Sequence, residues 1–154
     1  MKYRTGVSLL LFILTWPILS LAGDDQTVRS TLDDWRDTLR FGINSEIVEL
    51  LPTLTENREK DLLPEVLRLF RTTNNNDVIT RALRYLQTME SPEGHQRAFE
   101  IIDFHQDWND DIIMANLEYL RETEASVSDD HREVLEQIIR NRTVGPATGA
   151  VRLY

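Results

Sequence analysis

The segment "ALRYL" (82–86) is answered thirty-four residues later by "NLEYL" (116–120), and thirty-four after that by "AVRLY" (150–154). The apolar positions keep strict register: Ile79, Ile113 and Ala147; Leu83, Leu117 and Val151; Leu86, Leu120 and Tyr154. The longer stretches "VLRLFRTTNNNDVITRALRYL" (66–86), "AFEIIDFHQDWNDDIIMANLEYL" (98–120) and "VLEQIIRNRTVGPATGAVRLY" (134–154) share one plan. Each is the end of a helix, a polar turn and a second helix. The first helices repeat at 32 and then 36 residues, because the middle turn is two residues longer. One helix pair cannot cover its own apolar face, so a period of this length means pairs that cover each other by stacking.

Local signals place the helices. Helix 1 is expected over about Val28–Phe41, with Leu32, Trp35 and Leu39 on one face and Gly42 as a positive-φ stop. Helix 2 starts at Ser45 as N-cap and carries Ile47, Leu50, Leu51 and Leu54, with Pro52 bending it. Helix 3 opens at Asp61 with Pro64 in its first turn. Helix 4 runs over about Asp77–Met89. "SPEG" (91–94) starts helix 5 with Ser91 as N-cap, and that helix reaches about Phe104. Helix 6 covers about Asp110–Thr123, helix 7 about Ser128–Arg140, and helix 8 begins at Pro146. The acid pairs Asp110-Asp111 and Asp129-Asp130 open helices 6 and 7, where carboxylates meet the positive end of the helix dipole. No segment reads as a strand.

The first 22 residues are different in kind. Lys2 and Arg4 precede an apolar run from Val7 to Trp16, and Ser20 and Ala22 are small residues placed for a signal peptidase. This is the layout of a secretory signal peptide. A spanning helix needs about 20 apolar residues, and Ser8, Thr15, Pro17 and Ser20 interrupt this run; an uncleaved anchor is the rival reading. The chain divides into a signal segment, 1–22, and one helical repeat domain, 23–154. Its expected location is the periplasm or the extracellular medium. With no cysteine, the exported domain must hold by packing alone. The full chain has 17 basic and 26 acidic residues. Losing Lys2 and Arg4 leaves 15 against 26, which disfavours nucleic acid and anionic lipid surfaces as partners.

Two helical-pair families have this period. The tetratricopeptide pattern requires W-x2-L-G-x2-Y and a glycine in the turn; the motif is absent, and the turns at 72–77 and 105–111 hold no glycine. "NNNDVITRALRYL" instead resembles the HEAT pattern of an Asp-containing turn followed by V-R-x-x-A-x-x-x-L. Val78, Ala82 and Leu86 stand at its spacings, with Ile79 in the usual Arg place. Ile112, Asn116 and Leu120, then Pro146, Ala150 and Tyr154, occupy the same slots. The resemblance covers about 61–154 closely and 28–57 loosely. It implies an all-α, right-handed α-solenoid of about four stacked antiparallel helix pairs, the last one incomplete. It also implies that second helices line a concave face and that the task is binding a protein or peptide. The final helix stops three residues short of the position matching Met89. That leaves an end either frayed or covered by further repeats or a second chain.

Chemistry-bearing motifs are few. The histidines are His95, His105 and His131, and no H-E-x-x-H, phosphate loop, G-x-S-x-G or cysteine is present. No catalytic, cofactor or metal residue is assigned. "NRT" (141–143) is a glycosylation sequon only in a eukaryotic secretory route. "FHQDWNDD" (104–111) gathers His105, Asp107, Trp108, Asp110 and Asp111 in the longer turn. Its acids read first as helix caps and Trp108 as cover for the core. An exposed Trp108 would instead be a partner anchor. The alternative to a scaffold is an enzyme, or an enzyme accessory, with its site near this turn.

The candidate partner-binding residues are Arg81, Arg84, Tyr85, Glu118, Tyr119 and Trp108. At about 100° per residue, Thr80, Arg81, Arg84 and Thr88 face out on helix 4, with Tyr85 at the boundary. Met114, Ala115, Glu118 and Glu122 match them on helix 6, with Tyr119 at the boundary. Arg84, Glu118 and Arg152 share one register, which predicts a charge ladder with Glu118 between the two arginines. Asn116, in the slot of Ala82 and Ala150, is expected to be buried, bonded to a neighbouring helix or to its own turn, and so to fix the stacking register.

Overall fold

The computed structural model describes the backbone of residues 24–141 and 144–153, and side chains over 31–141 and 145–153. The signal-segment reading over 1–22 lies outside the described residues, as does Tyr154. Among the described residues the chain is all-helical and has no strand. Eight α-helices follow in order: α1 Asp24–Phe41, α2 Asn44–Glu56, α3 Leu63–Thr72, α4 Asn76–Thr88, α5 His95–Asp103, α6 Asp110–Glu122, α7 Asp129–Asn141 and α8 Val144–Leu153. Short 3-10 turns at Lys60–Leu62, Pro92–Gly94 and His105–Asp107 precede α3, α5 and α6.

The repeated apolar positions form the core in the first two copies, but not in the third, where Ala147 is half-buried and Val151 is exposed on the last described helix. Ile79, Leu83 and Leu86 on α4 are buried, and so are Ile113, Leu117 and Leu120 on α6. Leu51 and Leu54 on α2, Phe70 on α3, Ile102 on α5 and Ile138 on α7 complete the interior. Each such side chain contributes about 1.5–3 kcal/mol. The exposed ion pairs contribute about 0–1 kcal/mol each, so packing rather than charge fixes the arrangement. The main contacts run α2 to α4, α4 to α6 and α6 to α8 on one side, and α1 to α3 and α5 to α7 on the other. Within pairs, α3 packs on α4, α5 on α6 and α7 on α8.

A buried carboxylate joins the first two odd helices. Glu65 on α3 accepts from Arg36 Nε at 3.1 Å and Arg40 Nη2 at 2.7 Å, both on α1. Its side chain is 9% exposed, so removing both cations would leave an unpaired charge in a nearly dry site.

The helix ends correct several expectations. Gly42 was expected to carry positive φ, yet no described glycine does. Its need is space: a Cβ there would sit 2.6 Å from the Thr38 carbonyl oxygen. Positive φ falls instead on Arg58 (50°), Glu90 (53°) and Glu124 (54°), just beyond α2, α4 and α6. All three close the same motif. The amides of Arg58, Glu90 and Glu124 donate to Thr55, Gln87 and Arg121, and the next amides donate to Leu54, Leu86 and Leu120. This is the Schellman arrangement, made three times by residues with a Cβ.

The N-caps also differ. Asn75 Oδ1 accepts from the Val78 amide (3.1 Å) and Asn109 Oδ1 from the Ile112 amide (2.9 Å). The cap of α6 is therefore Asn109, not Asp110, and the two asparagines stand 34 residues apart. The Ser91 hydroxyl caps nothing, because the chain first makes a 3-10 turn there. The N-cap of α2 is Ile43, two residues before the expected Ser45; Glu46 Oε2 accepts from the Ile43 amide (3.0 Å), and the helix runs on through Pro52. Ser128 does cap α7, accepting from the His131 amide (3.3 Å).

Candidate functional site

The exposed sides of α2, α4 and α6 form one stripe with α4 at its centre. Helix α4 is packed by α2, α3 and α6, which leaves it a narrow open strip: Asn76, Asp77, Thr80, Arg81 and Arg84, with Gln87 and Thr88 half-buried. Three open hollows meet on this strip. One of about 430 Å³, between α2 and α4, is lined by Pro52, Thr55, Glu56, Arg81, Arg84 and Thr88. One of about 470 Å³, between α4 and α6, includes Thr80, Arg84, Ala115, Glu118 and Glu122. The third lies at the start of both helices and takes in Asp77, Arg81, Arg84, Asn109 and Asp111. Arg84 borders all three.

The structure keeps Arg81, Arg84 and Glu118 on this surface and removes the tyrosines from it. Tyr85 and Tyr119 have no exposed surface, so neither can touch a ligand as expected. Tyr85 donates its hydroxyl to the Glu59 carbonyl. Tyr119 donates to the Ser91 carbonyl (2.6 Å) and accepts from the Gly94 amide (3.1 Å). Each tyrosine thus ties a helix back to the turn that ends the preceding even helix. Gly94 is required by this closeness, since a Cβ there would sit 2.7 Å from the Tyr119 oxygen. Burial pushes the Tyr119 hydroxyl up to about 12, opposed in part by the Gly94 amide and aided by Glu93. Burial raises Tyr85 as well, with Glu59, Glu65 and Asp61 adding to it.

The charge ladder is not formed. Glu118 Oε1 faces Arg121 of its own helix at 3.9 Å, and Arg84 makes no ion pair among the described residues. The bridge between α4 and α6 is the Gln87 amide donating to Glu122, which also accepts from Arg121 (2.9 Å). Asn116 is fully buried, as expected, but its amide donates to the Ile112 carbonyl of its own helix (2.7 Å) and its oxygen meets no partner among the described residues. It makes no bond to a neighbouring helix, so the register role has no support.

The 104–111 turn contributes Asn109 and Asp111 to the third hollow. Trp108 is half-buried against the core and lines none of the three hollows. His105 is buried, while Phe104 is 66% exposed. Among the described residues no three His, Asp or Glu side chains gather closely enough to hold a metal ion.

A second polar cluster lies at the start of α5. Thr123 Oγ1 donates to the Tyr119 carbonyl (2.7 Å) and so accepts from His95 Nε2, also at 2.7 Å. That fixes the proton on Nε2. The ring meets Tyr119 edge-on at 5.5 Å, and burial lowers its basicity.

Sequence reasoning put Thr80 and Thr88 on the outward face but missed Thr55 and the bonds these hydroxyls make. Thr55, Thr80 and Thr88 each donate the hydroxyl to the carbonyl four residues back, at 2.8, 3.0 and 2.9 Å. The signal was present as threonine with a helical turn before it, where the hydroxyl can bond the carbonyl four residues back. No known protein family, curated protein or solved structure matches the chain.

Proposed function

We propose that the chain is a non-enzymatic protein-binding scaffold, built as a HEAT-like right-handed α-solenoid and exported by its first 22 residues to the periplasm or beyond. The observation that carries this reading is the stripe across α2, α4 and α6. It holds three adjoining hollows, exposed side chains of both signs and two arginines outside any ion pair among the described residues. Even-helix packing in series from α2 to α8 supports the solenoid, and so do the three helix ends closed by the same motif. Hollows this open do not enclose a small molecule as ligand pockets do. They suit a chain segment laid across the helices.

The test is photo-crosslinking in the native compartment. A photoreactive side chain at Thr80 or Ala115 should trap a defined protein, whereas one at exposed Gln96 on α5 should not. Equal trapping at all three positions, or none, would reject the scaffold face. Amino-terminal sequencing of the exported protein should begin at Gly23; an intact Met1 on protein outside the cytoplasm would reject cleavage.

A further inference from the structure

Arg81 and Arg84 stand three residues apart on α4, so both guanidiniums leave the same side of the helix. Like charges at that spacing work against a helix. Both are exposed, and neither pairs with an acid among the described residues, although the chain carries 26 acidic side chains. Asp77 lies one turn before Arg81, and Glu56 and Asp111 border the same hollows. None of the three closes on an arginine. The three threonine hydroxyls beside the pair spend their protons on their own helices. Toward a ligand they are acceptors.

The surface therefore has an arginine centre, acceptor flanks and a carboxylate rim that includes Asp77 at the start of α4. Glu56 lies on the α2 side; Asp111, Glu118 and Glu122 lie on the α6 side. A polyanion would meet repulsion from the rim. A uniformly basic segment would meet the arginines. The charge pattern that matches is an acid with cations on both sides.

We infer that this face takes an extended segment of a protein partner with one acidic side chain seated between Arg81 and Arg84 and Lys or Arg on either side. This rests on the reading that the stripe binds a protein. The carboxylate accepts charge-assisted hydrogen bonds from the two guanidiniums. The flanking cations lie over Glu56 in one direction and over Asp111 and Glu118 in the other. Backbone amides of the segment donate to Thr55, Thr80 and Thr88.

The experiment is selection of a random-peptide display library on the purified chain, followed by synthesis of the enriched sequences. Enriched peptides should hold a Glu or Asp flanked on both sides by Lys or Arg. Exchanging that acid for its amide should weaken binding about tenfold, the order expected for losing a charge-assisted pair. The double variant Arg81→Gln/Arg84→Gln should weaken the acid peptide by a similar factor and leave the amide peptide nearly unchanged. Thr80→Trp, which fills the floor from an exposed position, should abolish both. Peptides that are lost with Thr80→Trp but lack the acid, or ignore the double variant, overturn the acid anchor and leave the scaffold face standing. Peptides that ignore Thr80→Trp overturn both. Thermal unfolding of each variant accompanies the binding data, and all three positions are exposed, so the native melting curve is expected.

Discussion

Tyr119 closes a buried polar circuit through Ser91 and Gly94. Tyr119→Phe leaves a carbonyl and an amide unpartnered at a site with no exposure, an expected loss of about 2–3 kcal/mol. Tyr85→Phe orphans only the Glu59 carbonyl and should cost about 1–2 kcal/mol. Urea titration checks the order; an equal or larger cost for Tyr85→Phe would contradict the circuit. Alkaline pH tests the same groups. Both hydroxyls are raised above the ordinary value of 10, Tyr119 to about 12. Above pH 10 the unfolded chain releases protons that the folded one keeps. Their contribution is therefore whole below pH 10 and is lost as pH rises toward 12, at about 1.4 kcal/mol per pH unit and tyrosine. Tyr119→Phe should flatten that fall. Asn116→Ala removes a buried oxygen without a partner but also one hydrogen bond and some volume. The melting temperature should hold or rise, by up to about 1 kcal/mol in stability; a loss above about 2 kcal/mol would mean the oxygen is bonded. The sequence pattern placed these tyrosines at a boundary because it describes one helix against one core. Contacts on three sides of α4 narrow the open strip and bury position 85, which no single-helix periodicity can express.

At the scale of the element, the three even helices α2, α4 and α6 end on left-handed residues that are not glycine. A Cβ in that region costs about 1 kcal/mol. Glu90→Gly and Glu124→Gly should each stabilise the chain by about 0.5–1 kcal/mol, the relief being partly offset by the freer unfolded backbone. Both side chains are exposed and make no ion pair among the described residues, so little else changes. A fall in melting temperature would show that these carboxylates hold the turn by contacts of their own. Helix positions were legible in the sequence because their apolar spacing is strong: Ile79, Leu83 and Leu86 are buried where the period puts them. The stops were not legible. Gly marks a Schellman turn in most chains, and here Arg58, Glu90 and Glu124 take that place while Gly42 and Gly94 answer close backbone approach. The Asn75–Asn109 cap pair was legible at the same 34-residue interval, but the neighbouring acids Asp77 and Asp110 are equally good caps on residue type alone.

At the scale of the whole molecule, contacts between neighbours should make stability graded rather than uniform. Helices α4 and α6 are flanked on both sides and carry the fully buried stripes, whereas α1 packs chiefly on α2 and α3. Of its expected face only Leu39 is buried; Leu32 and Trp35 are half-buried. With so little apolar burial, α1 depends on the clasp of Arg36 and Arg40 on Glu65. Glu65→Ala removes the shared acceptor, leaving Arg40, 45% exposed, without a carboxylate and Arg36, 28% exposed, with Asp33 alone. Solvent relieves part of that, so the expected cost is about 1–2 kcal/mol. The cost should fall on one element. Amide exchange in α1 should accelerate about 5- to 30-fold, while α4 and α6 keep their protection. Arg36→Ala, which leaves Arg40 on the carboxylate, should show a smaller acceleration with the same local pattern. Protection lost equally in α1, α4 and α6 would mean that the helices unfold as one unit, and the graded, neighbour-by-neighbour stability argued from the packing would be wrong.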